Sequence, residues 1–310
     1  MIPVFKPCYD HQELEALREP FESGWIGLGP KTKEFEERFA AFLGAPYATA
    51  VNSATSALHL AMKVADVEGA EVITTPMTFV STNHAILYCG GIPVFADIEP
   101  DTLNIDPRDV ERKVTPRTKA IVVVHYGGHG CDMEAILGIA RRHGLKVIED
   151  AAHACGGQYR GQMLGTLGDF GCFSFHAVKN LATGDGGMIV SRDEADATRM
   201  RRLAWLGITR GTWDRVEGKG YSWEYNVEEL GLKCHMNDIT AAIGLVQLSK
   251  LERTNGRRRY LAERYTRLLT GVDWIETPVE KEYTRSAWHN YVIKVADPAD
   301  RNSLMDHLEH

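Results

Sequence analysis

The chain has 310 residues, more than one hydrophobic core usually organises, so two domains are expected. With 44% hydrophobic and 25% charged residues it has an ordinary globular composition, and its net charge of -7 argues against a general nucleic-acid binder. No apolar run is long enough to cross a membrane as a helix, residues 1–6 carry no signal-peptide pattern, and Cys8, Cys89, Cys131, Cys155, Cys172 and Cys234 form no CxxC pair; a reduced, cytoplasmic protein is expected.

Leu14, Leu17 and Phe21 recur at helical spacing over 11–24, with Pro20 shortening or kinking the helix. Phe35, Phe39, Phe42 and Leu43 mark one face of a helix over 31–43, and Gly44 is its stop. Tyr47-Ala-Thr-Ala-Val51 reads as a strand entering a helix that Ser53 caps. Its small first residues leave backbone N–H groups facing outward, which suits a phosphate; on this segment alone an ordinary capped helix is the preferred reading.

A second strand over 71–75 leads into Pro76-Met-Thr-Phe-Val80, so Phe79 falls where open α/β sheets bind ligands. It is either a stacking aromatic or a core residue. Strands are predicted at 91–97 and 119–125, a helix at 133–143 and another strand at 145–150. This alternation predicts βαβ units and a mostly parallel sheet. Asp150 ends a buried strand and His153 follows, read as either structural or functional.

Lys179 lies in a bend beside Gly184, Gly186 and Gly187, before a short buried strand, Met188-Ile-Val190. A basic helical stretch then carries Arg199, Arg201, Arg202 and Arg210, which read first as a solvated face. Asn237 caps a helix reaching about Leu269. Strands at 274–277 and 287–295 and a helix from Asp300 predict a second, smaller domain, dividing the chain into 1–250 and 251–310.

A phosphate-ready helix start, a stacking aromatic, a strand-end Asp with a His three residues on, and a lysine in a glycine-rich bend are together the parts that hold pyridoxal phosphate. With Gly24-Trp-Ile, Gly29-Pro-Lys-Thr-Lys-Glu-Phe-Glu36, Asn52-Ser-Ala-Thr-Ser-Ala-Leu-His59, Val147-Ile-Glu-Asp-Ala-Ala-His153, Phe173-Ser-Phe-His176 and Met236-Asn-Asp-Ile239, the chain resembles the DegT/DnrJ/StrS-type, fold type I, pyridoxal-phosphate-dependent sugar aminotransferases from Ile2-Pro-Val-Phe5 onward.

The resemblance implies a mostly parallel α/β sheet flanked by helices, Lys179 as the Schiff-base lysine and Asp150 as the pyridinium partner. It implies His153 beside the pyridoxal hydroxyl, Phe79 stacked on the ring, and Ala54, Thr55 and Ser174 at the phosphate. It further implies a homodimer in which Lys233 reaches the neighbouring chain's phosphate, with L-glutamate and a nucleotide-linked keto sugar as substrates; from charge and hydropathy no nucleic-acid or membrane partner is expected. Cys234, His235 and Leu206 depart from the usual family residues. Family members continue beyond Leu304-Met-Asp-His-Leu308, so a truncated small domain with an exposed sheet edge is expected.

Three other readings remain. A non-catalytic pyridoxal-phosphate-binding regulator would use the same pocket. A sugar dehydratase of this fold would carry histidine in place of Lys179. A metal site would draw on His125, His129, Cys131, Asp150 and His153, whose spacing matches no known zinc pattern.

Overall fold

The computed structural model describes residues 6–209 and 225–309; Ile2-Pro-Val-Phe5 and Arg210 lie outside them. The N-terminal helical stretch divides at Leu17 into α1 (His11–Ala16) and α2 (Arg18–Ser23). Leu14 and Phe21 stay exposed, so their helical spacing marks no core face in this chain. Next, α3 (Pro30–Leu43) buries Phe35, Phe39 and Leu43 and ends at Gly44, whose φ of 69° is a left-handed conformation that glycine adopts without strain.

The sheet strands are β1 (Tyr47–Val51), β2 (Glu71–Thr74), β3 (Ile92–Phe95), β4 (Thr118–Val124), β5 (Lys146–Asp150), β8 (Phe170–Ser174) and β9 (Gly187–Ser191). They stand in the order β1-β9-β8-β5-β4-β2-β3, and β9 alone runs against its neighbours. Parallel pairing requires crossovers. The crossing segments include α4 (Ala54–Val64), α5 (Val80–Tyr88), α6 (Pro107–Lys113) and α7 (Met133–His143).

Both sheet faces are buried, which is why the central strands are rich in β-branched residues. Alternation sends Ile121, Val123 and Val147 into one core, with the phenylalanines of α3. Ala120, Val122 and Ile148 enter the other, with α4 and α8 (Glu194–Ala204). The first core is tied by Phe39, whose ring lies 5.1 Å from Phe173 and 5.3 Å from Phe175. Each such fully buried ring contributes roughly 1.5–3 kcal/mol.

The helix α9 (Asp238–Leu269) runs unbroken across residue 250. Asn237 caps it, while Asp238 is aimed elsewhere: its carboxylate accepts from the N–H groups of Gly29, Lys31 and Thr32, so it caps α3 from over 200 residues away. A small sheet joins β11 (Thr284–Arg285) to the hairpin of β6 (Gln158–Tyr159) and β7 (Gln162–Met163), and β10 (Ile275–Glu276) pairs with β12 (Lys294–Val295). The chain then enters α10 (Asp300–Glu309).

Of the strand expected over 287–295, only Lys294–Val295 forms. Ala287 and Asn290 instead give their N–H groups to the loop carbonyls of Gly128 and Gly127, and Trp288 turns the backbone with a φ of 46°. No helix among the described residues is long and apolar enough to cross a membrane.

Candidate active site

The carboxyl ends of parallel strands share one edge of a sheet, so the residues following β1, β2, β5 and β8 meet there. They surround a cavity of about 340 Å³ lined by Ala54, Thr55, Phe79, Asp150, His153, Ser174 and Lys179 among others. Seven of the residues singled out in the sequence thus come together. The eighth, Lys233, does not line it: it is exposed, with its ammonium 5.5 Å from the centre of the Trp205 ring.

At the first wall, Ser53 caps α4 by accepting from Ser56 N–H at 3.1 Å. Helix geometry leaves the N–H groups of Ala54 and Thr55 without intrahelical acceptors. The positive end of the helix dipole therefore meets the cavity. Gly187 makes this possible: a Cβ there would lie 2.5 Å from the carbonyl carbon of Ser53, so β9 could not otherwise press against the helix start.

Asp150 is 4% exposed, yet among the described residues only two groups bond its carboxylate, Thr82 Oγ1 at 2.7 Å and Ala152 N–H at 3.1 Å. Thr78 stands behind Thr82, 2.7 Å between hydroxyls, and completes a short relay. Burial pushes the Asp150 carboxyl above its ordinary pKa, outweighing these bonds and the attraction of Lys179. Lys179 is pulled down from the usual lysine range by burial, with Asp150 opposing. Burial wins at both groups, so a ligand bearing complementary charge relieves a cost at each.

The bend carrying Lys179 is firmly held. Phe175 donates its N–H to Gly186, Thr183 to Phe175, Ala177 to Gly184 and Lys179 to His176, at 2.7–2.8 Å. Gly184, with a φ of 93°, allows the return. Ser174 accepts from His176 N–H at 3.3 Å. Phe79 is 71% exposed and lines the cavity, so its ring is not spent in the core.

His153 accepts from Gly127 N–H on Nδ1 at 3.4 Å, which assigns its proton to Nε2. It stacks on His289, ring centres 4.4 Å apart. Asn180 fixes the tautomer of His289: its amide nitrogen donates to Asn255 and Ala287, so its oxygen faces His289 Nδ1 and receives that proton at 3.0 Å. Burial lowers His153 to about 3 and His289 to about 2, so both rings are neutral. The sequence reading missed Thr82, Asn180 and His289; a Thr three residues after Phe79 and an Asn directly after Lys179 were the available signals.

The metal candidates are otherwise engaged. His125 takes Cys131 N–H on Nδ1 and meets Glu149 through Nε2 at 2.8 Å; His129 bonds Gly130 O and Lys281 N–H. Among the described residues no group of three His, Cys, Asp or Glu side chains is arranged to hold a metal. At the departures noted in the sequence, Cys234 is buried in the second core, His235 packs edge-on against Trp205, and Leu206 is exposed at a φ of 58°.

The residues present fit pyridoxal phosphate: an amine with lowered basicity, a buried carboxylate with unused acceptor positions, an open ring face and a helix start facing one cavity. An α/β sheet with these groups at one edge defines a fold type I pyridoxal-phosphate enzyme. The comparisons with known proteins agree. Residues 7–310 match the DegT/DnrJ/EryC1/StrS aminotransferase family, and the chain belongs to that family.

It is 48% identical over 295 residues to the spore coat polysaccharide biosynthesis protein SpsC of Bacillus subtilis (strain 168), covering 95% of this chain and 76% of that protein. The crystal structure of the aminotransferase TlmJ from Streptoalloteichus hindustanus superposes with a TM-score of 0.93 at 40% identity, covering 100% of this chain and 82% of that one. A putative sugar aminotransferase, Spr1654 from Streptococcus pneumoniae, gives a TM-score of 0.92 at 31% identity in its PLP form, covering 99% of this chain and 82% of that one. The PMP form of that protein superposes with a TM-score of 0.93, covering 100% of this chain and 83% of that one. This chain is therefore an aminotransferase of the sugar-modifying class, with pyridoxal phosphate as its cofactor.

Proposed function

We propose that the protein moves an amino group from L-glutamate to a keto sugar carried on a nucleotide. The convergence of Lys179, Asp150 and the start of α4 on one cavity carries this reading. Bound there, pyridoxal phosphate supplies an electron sink that steadies a carbanion at the donor's α-carbon. Asp150 keeps a proton on the ring nitrogen, and its relay through Thr82 and Thr78 holds the carboxylate in line. Lys179 would anchor the cofactor through its Nζ, and the same amine, when free, would accept and return a proton. Phe79 would cover one face of the cofactor ring, and His153, with its proton on Nε2, would serve as a donor to it. Ala54, Thr55 and Ser174 receive the phosphate.

Burial suits Lys179 to this work, because a lowered basicity leaves more of the amine free to accept a proton near neutral pH. We also propose a homodimer. Lys233 lies outside its own chain's cavity and is exposed, so it is available to a second copy's phosphate. The division into a cofactor-binding domain over 1–250 and part of a smaller one over 251–310 belongs to the same proposal.

The test is to load the protein with pyridoxal phosphate, reduce with borohydride and map the modified peptide. Fixation to Lys179, and loss of the cofactor's yellow colour on adding L-glutamate, are expected. Lys179→Ala is expected to lose at least roughly 10²–10⁴-fold in turnover, the scale of a missing general base. Appreciable turnover by that variant would overturn the assignment. A protein that binds the cofactor but leaves it unchanged with glutamate would overturn L-glutamate as the amino donor.

A further inference from the structure

Lys179 has a second side. A groove of about 790 Å³ shares Val178 and Lys179 with the cofactor cavity and opens away from it. One wall is α9, which presents Arg253, Arg257 and Arg258 within little more than a helical turn; Lys6 is on the rim, with His289 and Asn290 nearby. Among the described residues that line the groove none is acidic, in a chain whose net charge is -7.

Several other arginines of the chain have acidic partners. Arg259, the next residue along, makes two 2.8 Å bonds to Glu280. Arg201 pairs with Glu36 and Arg202 with Glu229. Arg253, Arg257 and Arg258 make no ion pair among the described residues. Arg257 lies 4.8 Å from the Tyr260 ring centre, and Arg258 gives one nitrogen to the carbonyls of Trp288 and His289. Clustered cations without counter-charges repel one another, and a concave, low-dielectric wall concentrates their field. Guanidinium groups also match phosphate and carboxylate oxygens in a two-pronged geometry.

We propose that this groove seats the anionic end of the substrate, delivering its reacting carbon to Lys179 from the side opposite the cofactor phosphate. The inference rests on the aminotransferase reading of Lys179. The shared chemistry is a multiply charged oxyanion, borne either by the diphosphate of a nucleotide-linked sugar or by the carboxylates of the amino donor. Arg253 and Arg257, exposed on α9, make the contact, while Arg258 braces the 288–289 backbone.

The test uses the pyridoxal-phosphate-loaded protein, so that the phosphate site beside α4 is occupied. UDP is titrated calorimetrically at low and raised salt, and L-glutamate is titrated by conversion of the bound cofactor. Wild type is compared with Arg253→Gln/Arg257→Gln and with Arg253→Lys/Arg257→Lys. The expected result is a salt-sensitive UDP affinity that falls about tenfold or more in the glutamine variant and recovers in part with lysine, at unchanged cofactor loading. A comparable rise in the glutamate concentration needed, with UDP binding unchanged, would assign the same groove to the donor. Changes below about twofold for both ligands would overturn the proposal. Failure of glutamate to convert the wild-type cofactor would instead count against the aminotransferase reading, and the UDP titration would still decide the groove.

Discussion

Glu149 and Asp150 are neighbours on β5, both buried and both carboxylates, yet they do opposite work. Glu149 points into the first core and is fully engaged: His125 donates to it, and so do the N–H groups of Gly165, Leu167 and Gly168 at 2.6–2.8 Å. It fastens the loop before β8 to the sheet. Asp150 faces the cavity at the strand's end with two donors among the described residues, and its remaining acceptor positions are open to a ligand. Burial of a charge is structural where the protein supplies every partner, and functional where it withholds one.

Breaking Glu149 has the largest expected effect on stability. Glu149→Ala strands His125 Nε2 and three backbone donors, and should lower unfolding free energy by about 3–5 kcal/mol in urea titrations. Asp150→Asn should do the reverse. The raised folded pKa of Asp150 means its stabilising contribution is full below the ordinary value of 3.8 and is lost as pH rises through the folded value. The ligand-free Asn variant should therefore be at least as stable as wild type at neutral pH. Its turnover should fall on the order of 10²–10³-fold, the scale of one preorganised electrostatic partner. A destabilised but fully active Asp150→Asn would erase the contrast.

A pH series sharpens it further. His129 is held down to about 4, His153 to about 3 and His289 to about 2, all chiefly by burial. Their contribution is full above the ordinary imidazole value of 6.5 and is lost as pH falls through the folded values. The urea midpoint should drop steadily from pH 6.5 toward pH 4, and His129→Gln should flatten that slope by a part worth roughly 3 kcal/mol. Phe79→Ala should have the smallest effect. Its exposed ring predicts a midpoint within about 0.5 kcal/mol of wild type, with cofactor retention weakened by roughly 0.5–1.5 kcal/mol, up to about tenfold in a dialysis assay.

Local order was legible in the chain to different depths. Phe35, Phe39 and Leu43 announce α3 because three- and four-residue spacing puts them on one face, and Gly44 ends it as expected. The segment 287–295 was misread, because an apolar, β-branched run also suits an extended strap whose hydrogen bonds go to a loop. The pairing of Asp238 with the start of α3 had no local signal at all.

By itself the sequence determined the alternation of strands and helices and, through an ordered set of motifs, the family, and it singled out Lys179 and Asp150 as candidates. These follow from local periodicity and from residue chemistry at fixed spacing. Only the tertiary structure decided which face Glu149 and Asp150 take, that His289 stacks on His153, and that Arg253, Arg257 and Arg258 of α9, without ion pairs among the described residues, line a groove beside Lys179. Those depend on partners brought from distant parts of the chain, and a contact across a hundred residues leaves no period in the sequence to read.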